Sequence, residues 1–444
     1  MASDARGLIE RRFDVLVVGG GAAGVSAAVT AARQGLSVCL VERYGFCGGG
    51  AVAGLSGTVC GLYEASDDID AAPKQVVHGF VEEFIFQLER HDGLGGPIRY
   101  GKTFTRVHDP LVWRDVADRL LVASGVETLF HTTVTGVLVD GQHVLGVDAY
   151  NKEGTLRLRA PITIDASGDA DIVAMAGLPS FIGADGQVQN PTMIFRLLGV
   201  DTKRLLARYG DDTIMPVEIT DLITAQNLAG NYSLPRTKIW LFPTTRPNEL
   251  LCNCTRIIGS DGRALNTLYA RDFSEAEILG RQQVREYARF FRDWVVGCET
   301  SFINDTGVQV GVRQTRQGLG RYVLRNDDVL TGTKFADGIA RSPWPIELHS
   351  GEKPFVHWLL NDFYEVPYRC FVPAQGDGLL FAGRCLSAEH EAVASARVTA
   401  QCFSYGQAVG YAASIAVNEQ IPPRTIDGSR IRTGLDKMGA RLDG

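Results

Sequence analysis

The sequence predicts an α/β protein in two parts: a domain built on a parallel sheet, assembled from separated stretches of chain, and an α+β domain inserted into it. Three observations predict this. The chain begins with a short apolar strand, a glycine-rich turn, a small-residue helix and a second apolar strand. The middle, about residues 191–345, loses that strand–helix regularity. And 444 residues are more than one hydrophobic core ordinarily organises.

Phe13 to Val18 (FDVLVV) is a nearly continuous apolar run, the pattern of a parallel strand buried on both faces. Gly19-Gly20-Gly21-Ala22-Ala23-Gly24 follows and fits G-x-G-x-x-G. A helix is predicted from Ala22 to about Gln34, ended by Gly35, and Leu36 to Val41 is the second strand, closing at Glu42. Gly19 permits the tight turn, Gly21 lets the backbone approach a pyrophosphate, and Gly24 lets the helix pack close to the strand. The first helical turn, with Ala22 and Ala23, offers free N–H groups and a positive dipole end to the phosphates. Glu42 lies 18 residues after Gly24. Its carboxylate would accept hydrogen bonds from a ribose and repel a 2′-phosphate, which favours FAD or NAD over NADP. A strand before, a helix and strand after, and a terminal acid make this a Rossmann-type dinucleotide site.

Composition narrows the class. Hydrophobic residues at 45% and charged residues at 21% are the balance of a soluble globular protein, and no window of 18 apolar residues suggests a membrane span. A net charge of −7 argues against a nucleic-acid partner. The nine cysteines are odd in number and scattered, with no Cys-x-x-Cys, which suits free thiols in a reducing compartment. Cys252 and Cys254 share one face of an apparent strand and read as packing residues. Arg11-Arg12 precedes the first strand and is not an export signal, so a cytoplasmic location is expected. The pattern assigns no metal ligands.

Three later stretches decide between the cofactors. After Glu42 comes Arg43-Tyr44-Gly45-Phe46-Cys47-Gly48-Gly49-Gly50, a glycine cluster where simple NAD dehydrogenases usually continue into another strand–helix unit. Ile162 to Asp171 (ITIDASGDAD) is a second strand and turn, and Leu379 to Arg384 (LLFAGR) a late strand. Cys385-Leu386-Ser387-Ala388-Glu389-His390-Glu391-Ala392 and Ser395-Ala396-Arg397 then lead into a helix from Val398 to Val417, where Gly406 and Gly410 lie four apart on one face.

In order and content these segments resemble a bacterial family of FAD-dependent oxidoreductases within the glutathione-reductase/fumarate-reductase-like flavoprotein superfamily. Further matches include Asn253-Cys254-Thr255-Arg256, Gly311-Val312-Arg313-Gln314-Thr315-Arg316 and Glu365-Val366-Pro367-Tyr368-Arg369, so the resemblance spans nearly the whole chain. It implies FAD and redox chemistry but names no substrate. With the fingerprint it assigns to the cofactor Gly19, Gly21, Ala22, Ala23, Gly24, Glu42, Arg43, Cys47, Gly48, Gly49, Val134, Ala166, Gly168, Gly383, Arg384 and Ala396.

The FAD-binding domain is expected from residues 1–60, 111–190 and 360–420. A substrate or cap domain takes 61–110 and 191–359, and 421–444 form a tail of low order. Asp109-Pro110 reads as an N-cap and first turn for a helix through Ser124. Glu127 to Tyr150 reads as an antiparallel meander on the Rossmann core. In the middle, helices are expected near Asp201–Tyr209 and Ser274–Trp294, with strands at Lys238–Phe242 and Glu249–Arg256.

Hydride transfer to flavin N5 asks for a base and for positive charge facing N1 and the C2 carbonyl. By resemblance to fumarate-reductase-like proteins, His390 and Arg397 take these places, although the spacing between them is wider here. His349, after the alternating run Trp344-Pro345-Ile346-Glu347-Leu348, is the next catalytic candidate. Arg313 and Arg316 either anchor an anionic substrate or tie the two domains together. Cys47 reads as a packing thiol beside the flavin, since disulfide chemistry would need a second thiol.

The expected activity is that of a dehydrogenase or oxidase, transferring a hydride between a small organic substrate and flavin N5. The re-oxidant is an external acceptor: oxygen, a quinone or a protein. No second fingerprint follows a strand, because Gly93-Leu94-Gly95-Gly96 meets Pro97. The alternatives are a flavoprotein electron-transfer subunit and a non-redox flavoenzyme such as an isomerase.

Overall fold

The computed structural model of the chain describes residues 8–349 and 355–443. Its centre is a five-stranded parallel sheet in the order Leu379–Phe381, Ile162–Asp165, Val15–Val18, Val38–Val41, Glu127–Leu129. The three middle strands are buried at every position, as their apolar runs require. The sheet thus draws on widely separated stretches of chain, which is why the domain is discontinuous in sequence.

The fingerprint helix runs Ala22–Arg33, with Gln34 as its C-cap and Gly35 in the left-handed region at φ 88°. It packs along the helix Thr399–Glu419. Gly406 and Gly410 make that approach possible: a Cβ at either would lie 2.1 Å from Ala23 O or 2.5 Å from Ala27 O. Ser26 Oγ donates to Phe403 O across the same seam (2.8 Å). The helix Pro110–Ala123 begins as expected, with Asp109 Oδ1 accepting from Leu111 N at 2.7 Å.

A second sheet holds the meander, Thr133–Asp140, His143–Asn151 and Gly154–Arg159, joined in parallel by Ile9–Arg12. The apolar run Phe13 to Val18 therefore yields a core strand only from Val15.

The middle of the chain has its own core. Strands Trp240–Pro243, Glu249–Asn253, Phe195–Leu198 and Phe302–Thr306 form an antiparallel sheet. The long helix Ala270–Trp294 covers it with Tyr287, Phe290 and Phe291, and Cys252 and Cys254 are buried in the same cluster.

Three stretches differ from expectation. Residues 61–110 divide between the two cores. Helix Phe80–Arg90 packs in the main core, where Phe84 meets Trp113 and Phe403, while the hairpin Leu94–Tyr100/Thr103–His108 carries Tyr100 toward the cap. The helix expected from Val398 is preceded by a separate one, His390–Ala396, because the chain turns extended at Val398 (φ −75°, ψ 165°). The tail is ordered through residue 443: helix Gly428–Lys437 buries Ile431 and Leu435, four apart, an apolar stripe masked in sequence by charged neighbours.

Candidate active site

One long cleft runs between the two cores, about 1600 Å³ counted out to its solvent mouth. Its floor comes from the parallel domain. Gly19 turns the chain at φ 103°, where an added Cβ would lie 2.4 Å from Ala166 O, so no other residue fits there. Gly19 through Ala23 then present the start of the fingerprint helix to the cleft.

Glu42 closes this end. Its carboxylate is buried and accepts from Gly20 N at 2.6 Å and Tyr44 N at 2.9 Å. Burial raises its pKa, and the backbone donors oppose the rise. The remaining lone pairs can take ribose hydroxyls. Arg43 Nη2 donates to Gln309 Oε1 (2.7 Å), so a residue from the middle of the chain reaches over the same end.

The other shoulder of the floor is an ion-paired turn. Asp165 is fully buried and accepts from Ser167 N (3.0 Å), Ser167 Oγ (2.6 Å), Ile172 N (2.8 Å) and Val173 N (3.1 Å), which holds the turn 166–171 in shape. Asp169 accepts from Arg384 Nη2 (2.8 Å) and from Thr315 Oγ1. Its pKa is lowered: burial acts upward, but the Arg384 charge and these hydrogen bonds outweigh it. Ala166, Gly168, Gly383 and Arg384 all line the cleft.

The opposite wall carries a different chemistry. Tyr100 OH donates to both Glu347 oxygens (2.9 and 3.0 Å), and His349 Nε2 stands 3.5 Å from Glu347 Oε1. Tyr100 packs on Trp344 with ring centroids 5.0 Å apart. His349 is held well below the usual imidazole pKa, first by burial and then by the charges of Arg313, Arg236 and Arg397. Burial and the arginine charges thus favour its neutral form, with Nδ1 as the ring nitrogen turned from Glu347.

Most of the residues predicted for the cofactor come together here: Gly19, Gly21, Ala22, Ala23, Glu42, Arg43, Gly48, Gly49, Ala166, Gly168, Gly383 and Arg384 line the cleft. Gly24 stands behind it, against Gly19. Three others lie elsewhere. Cys47 is buried beneath Gly20, with its thiol pKa pushed up by burial, so it is an inert packing group. Val134 sits in the meander opposite Ala149. Ala396 is buried and accepts from Tyr405 OH (2.9 Å).

Of the predicted catalytic residues, His349 and Arg397 line the cleft and His390 does not. His390 opens its helix near Gly183, where its Nδ1 is buried without a partner among the described residues. The two arginines of the 311–316 segment separate. Arg313 lines the cleft, whereas Arg316 binds Asp171 (2.7 Å) and the Asp169 carbonyl (3.0 Å) and ties the domains together. Tyr100 and Glu347 also line the cleft and were not among the sequence candidates. Glu347 lay inside the alternating run before His349, and that was the one available signal.

The fold and floor define a flavin-binding oxidoreductase scaffold, and the residues present fit FAD: an open pyrophosphate approach, a buried ribose acid and a glycine-lined cleft. The chain matches the FAD dependent oxidoreductase family over residues 14–435 and belongs to it. It is an FAD-dependent oxidoreductase. A digeranylgeranylglycerophospholipid reductase from Picrophilus torridus is 26% identical over 208 residues, 44% of this chain and 49% of the relative. The chain thus matches about half the length of that curated relative. Among solved structures, a geranylgeranyl bacteriochlorophyll reductase-like protein from Thermoplasma acidophilum superposes with a TM-score of 0.51 at 15% identity, covering 97% of this chain and 83% of its own. A flavin-dependent brominase gives 0.48 at 16% identity, over 96% and 83%. The likeness to the Thermoplasma protein speaks to the fold alone. Among the described residues, no helix is long and apolar enough to cross a membrane.

Proposed function

We propose that this enzyme oxidises a small organic substrate at a C–OH or C–NH group, with His349 as the base. FAD, when bound, supplies the two-electron acceptor through its N5. The observation that carries the reading is the Tyr100–Glu347–His349 chain in the wall facing the cofactor floor. His349 takes the proton from the substrate heteroatom. Glu347 lies 3.5 Å from the imidazole, and Tyr100 fixes Glu347 with its hydroxyl. The aromatic rings of Trp344 and Phe242 exclude water from the same wall. Arg397, beside the start of helix Thr399–Glu419 and lining the cleft, would supply positive charge to the reduced form of a bound flavin. An external acceptor then re-oxidises the enzyme.

The test begins with an anaerobic screen of alcohols and amines for compounds that bleach the bound flavin. With a hit in hand, His349→Ala should keep its flavin and slow single-turnover reduction by about 10²–10⁴. His390→Ala should reduce at close to the wild-type rate, since His390 does not line the cleft. Wild-type reduction by His349→Ala would remove it from the chemistry.

A further inference from the structure

Arg313 and Arg397 line the cleft and Arg236 lies close enough to act on Arg313, and among the described residues this positive charge is not neutralised by ion pairs. Arg236 and Arg313 are 3% and 7% exposed, and both feel Glu347; Arg236 and Arg397 act on Arg313, and Arg397 feels Glu347 in turn. Glu347 is the one carboxylate among the groups acting on these three guanidinium groups, and its oxygens already take Tyr100 OH. Among the described residues none of the three arginines makes an ion pair. Arg313 Nη1 donates to a backbone carbonyl, Asn190 O (2.8 Å). Arg236 Nη1 donates to Asn253 Oδ1 (3.2 Å), and Arg397 Nη2 to Gln189 Oε1 (3.3 Å). Arg236 Nη2 and Arg397 Nε are buried and have no partner among the described residues.

This is not how the chain treats buried arginine elsewhere. Arg196, equally buried in the cap sheet, is paired with both Glu249 (3.2 Å) and Asp305. A buried guanidinium without a counter-ion is costly, and a group of them persists where an anion is expected. The oxidised cofactor ring is neutral and does not answer the need.

We propose that the substrate is a small organic acid whose carboxylate is gripped by Arg313, with Arg236 and Arg397 completing the positive field, and which is oxidised at the carbon beside that carboxylate. The planar guanidinium fork suits a carboxylate, and Asn190 links it to the base: Asn190 accepts from Arg313 through its carbonyl and donates to His349 O from its backbone N–H (3.3 Å). Anchor and base therefore hold a fixed separation. For a 2-hydroxy acid the balance is simple. The Cα–H and O–H bonds break and a C=O bond forms. The hydride, two electrons and one proton, goes to FAD, and the other proton goes to His349. The inference rests on the oxidoreductase reading above.

The test uses the FAD-loaded enzyme and oxalate, a dicarboxylate with no C–H bond to oxidise. Oxalate should shift the flavin absorption saturably, and oxamide, its neutral counterpart, should not. Arg313→Gln should raise the dissociation constant for oxalate at least roughly tenfold, and Arg313→Lys less, with flavin content unchanged in both. A second readout is the melting temperature of the flavin-free protein, which oxalate should raise in the wild type and not in Arg313→Gln. Equal binding of oxamide, no response to oxalate, or undiminished oxalate binding by Arg313→Gln would overturn the proposal. Failure of the substrate-oxidation reading shows separately, as no alcohol or amine bleaching the flavin in the anaerobic screen while oxalate still binds.

Discussion

Gly21 offers a substitution that separates cofactor binding from folding. Its backbone is extended (φ −71°, ψ −176°), a conformation any residue adopts, and an added Cβ would meet only Gly49 Cα, at 3.8 Å. Gly21→Val should therefore leave the flavin-free fold intact, within about 0.5 kcal/mol of wild type. What the valine occupies is the space of the incoming pyrophosphate. Crowding a close-packed contact costs about 1–3 kcal/mol, and losing a hydrogen bond to a charged group about 1.5–3 kcal/mol. Together these weaken FAD by about 10²–10⁴-fold at 1.4 kcal/mol per tenfold. Gly24→Ala is the contrast, because its Cβ would lie 1.8 Å from Gly19 O and must break the turn itself. The assay pairs the flavin-to-protein absorbance ratio after gel filtration with thermal unfolding of both apoproteins. Full flavin content in Gly21→Val, or an apoprotein as unstable as Gly24→Ala, would refute the reasoning.

Three further expectations follow from the same geometry. Glu42→Ala should weaken FAD by about 1–3 kcal/mol, read by fluorescence titration, with turnover at saturating FAD nearly unchanged. Gly406→Val should drive helix Thr399–Glu419 off the fingerprint helix, since even its Cβ lies 2.1 Å from Ala23 O, and should lower both melting temperature and flavin retention. His108 is 2% exposed beside Trp113, both ring nitrogens lack partners among the described residues, and burial pushes its pKa down from 6.5 to about 4. A base with a depressed folded pKa contributes stability that is complete above 6.5 and is lost as pH falls toward 4, here about 3 kcal/mol. His108→Phe should flatten that part of the melting-temperature profile, and an unchanged slope would show the loss to come from other groups.

The floor of the cleft was legible because it is written locally. Gly19 to Gly24, the closing acid Glu42 and the Asp109-Pro110 helix start each signal their geometry within a few residues of chain. The wall was not, because its chemistry exists only after folding. Tyr100 and Glu347 are 247 residues apart and meet through a hairpin and a short strand with no motif of their own. The same gap separates the two histidines. His390 sits in the more recognisable block, but its helix starts facing Gly183, while His349 reaches the cleft from a stretch whose only mark was an alternating run. Val134 packs in the meander and Ala396 in the main core, and neither lines the cleft.

The seam between the fingerprint helix and Thr399–Glu419 also orders events during synthesis. A ribosome releases the amino-terminal strand, turn and helix hundreds of residues before the helix that must lie against them, and before the edge strand Leu379–Phe381. Until then the alanine-rich face of that helix has no lasting cover, and the nascent chain has a nucleotide motif without a nucleotide site. Cofactor capture therefore becomes a late checkpoint: truncations ending before Thr399 should emerge colourless and be handed to chaperones, whatever the quality of their first hundred residues.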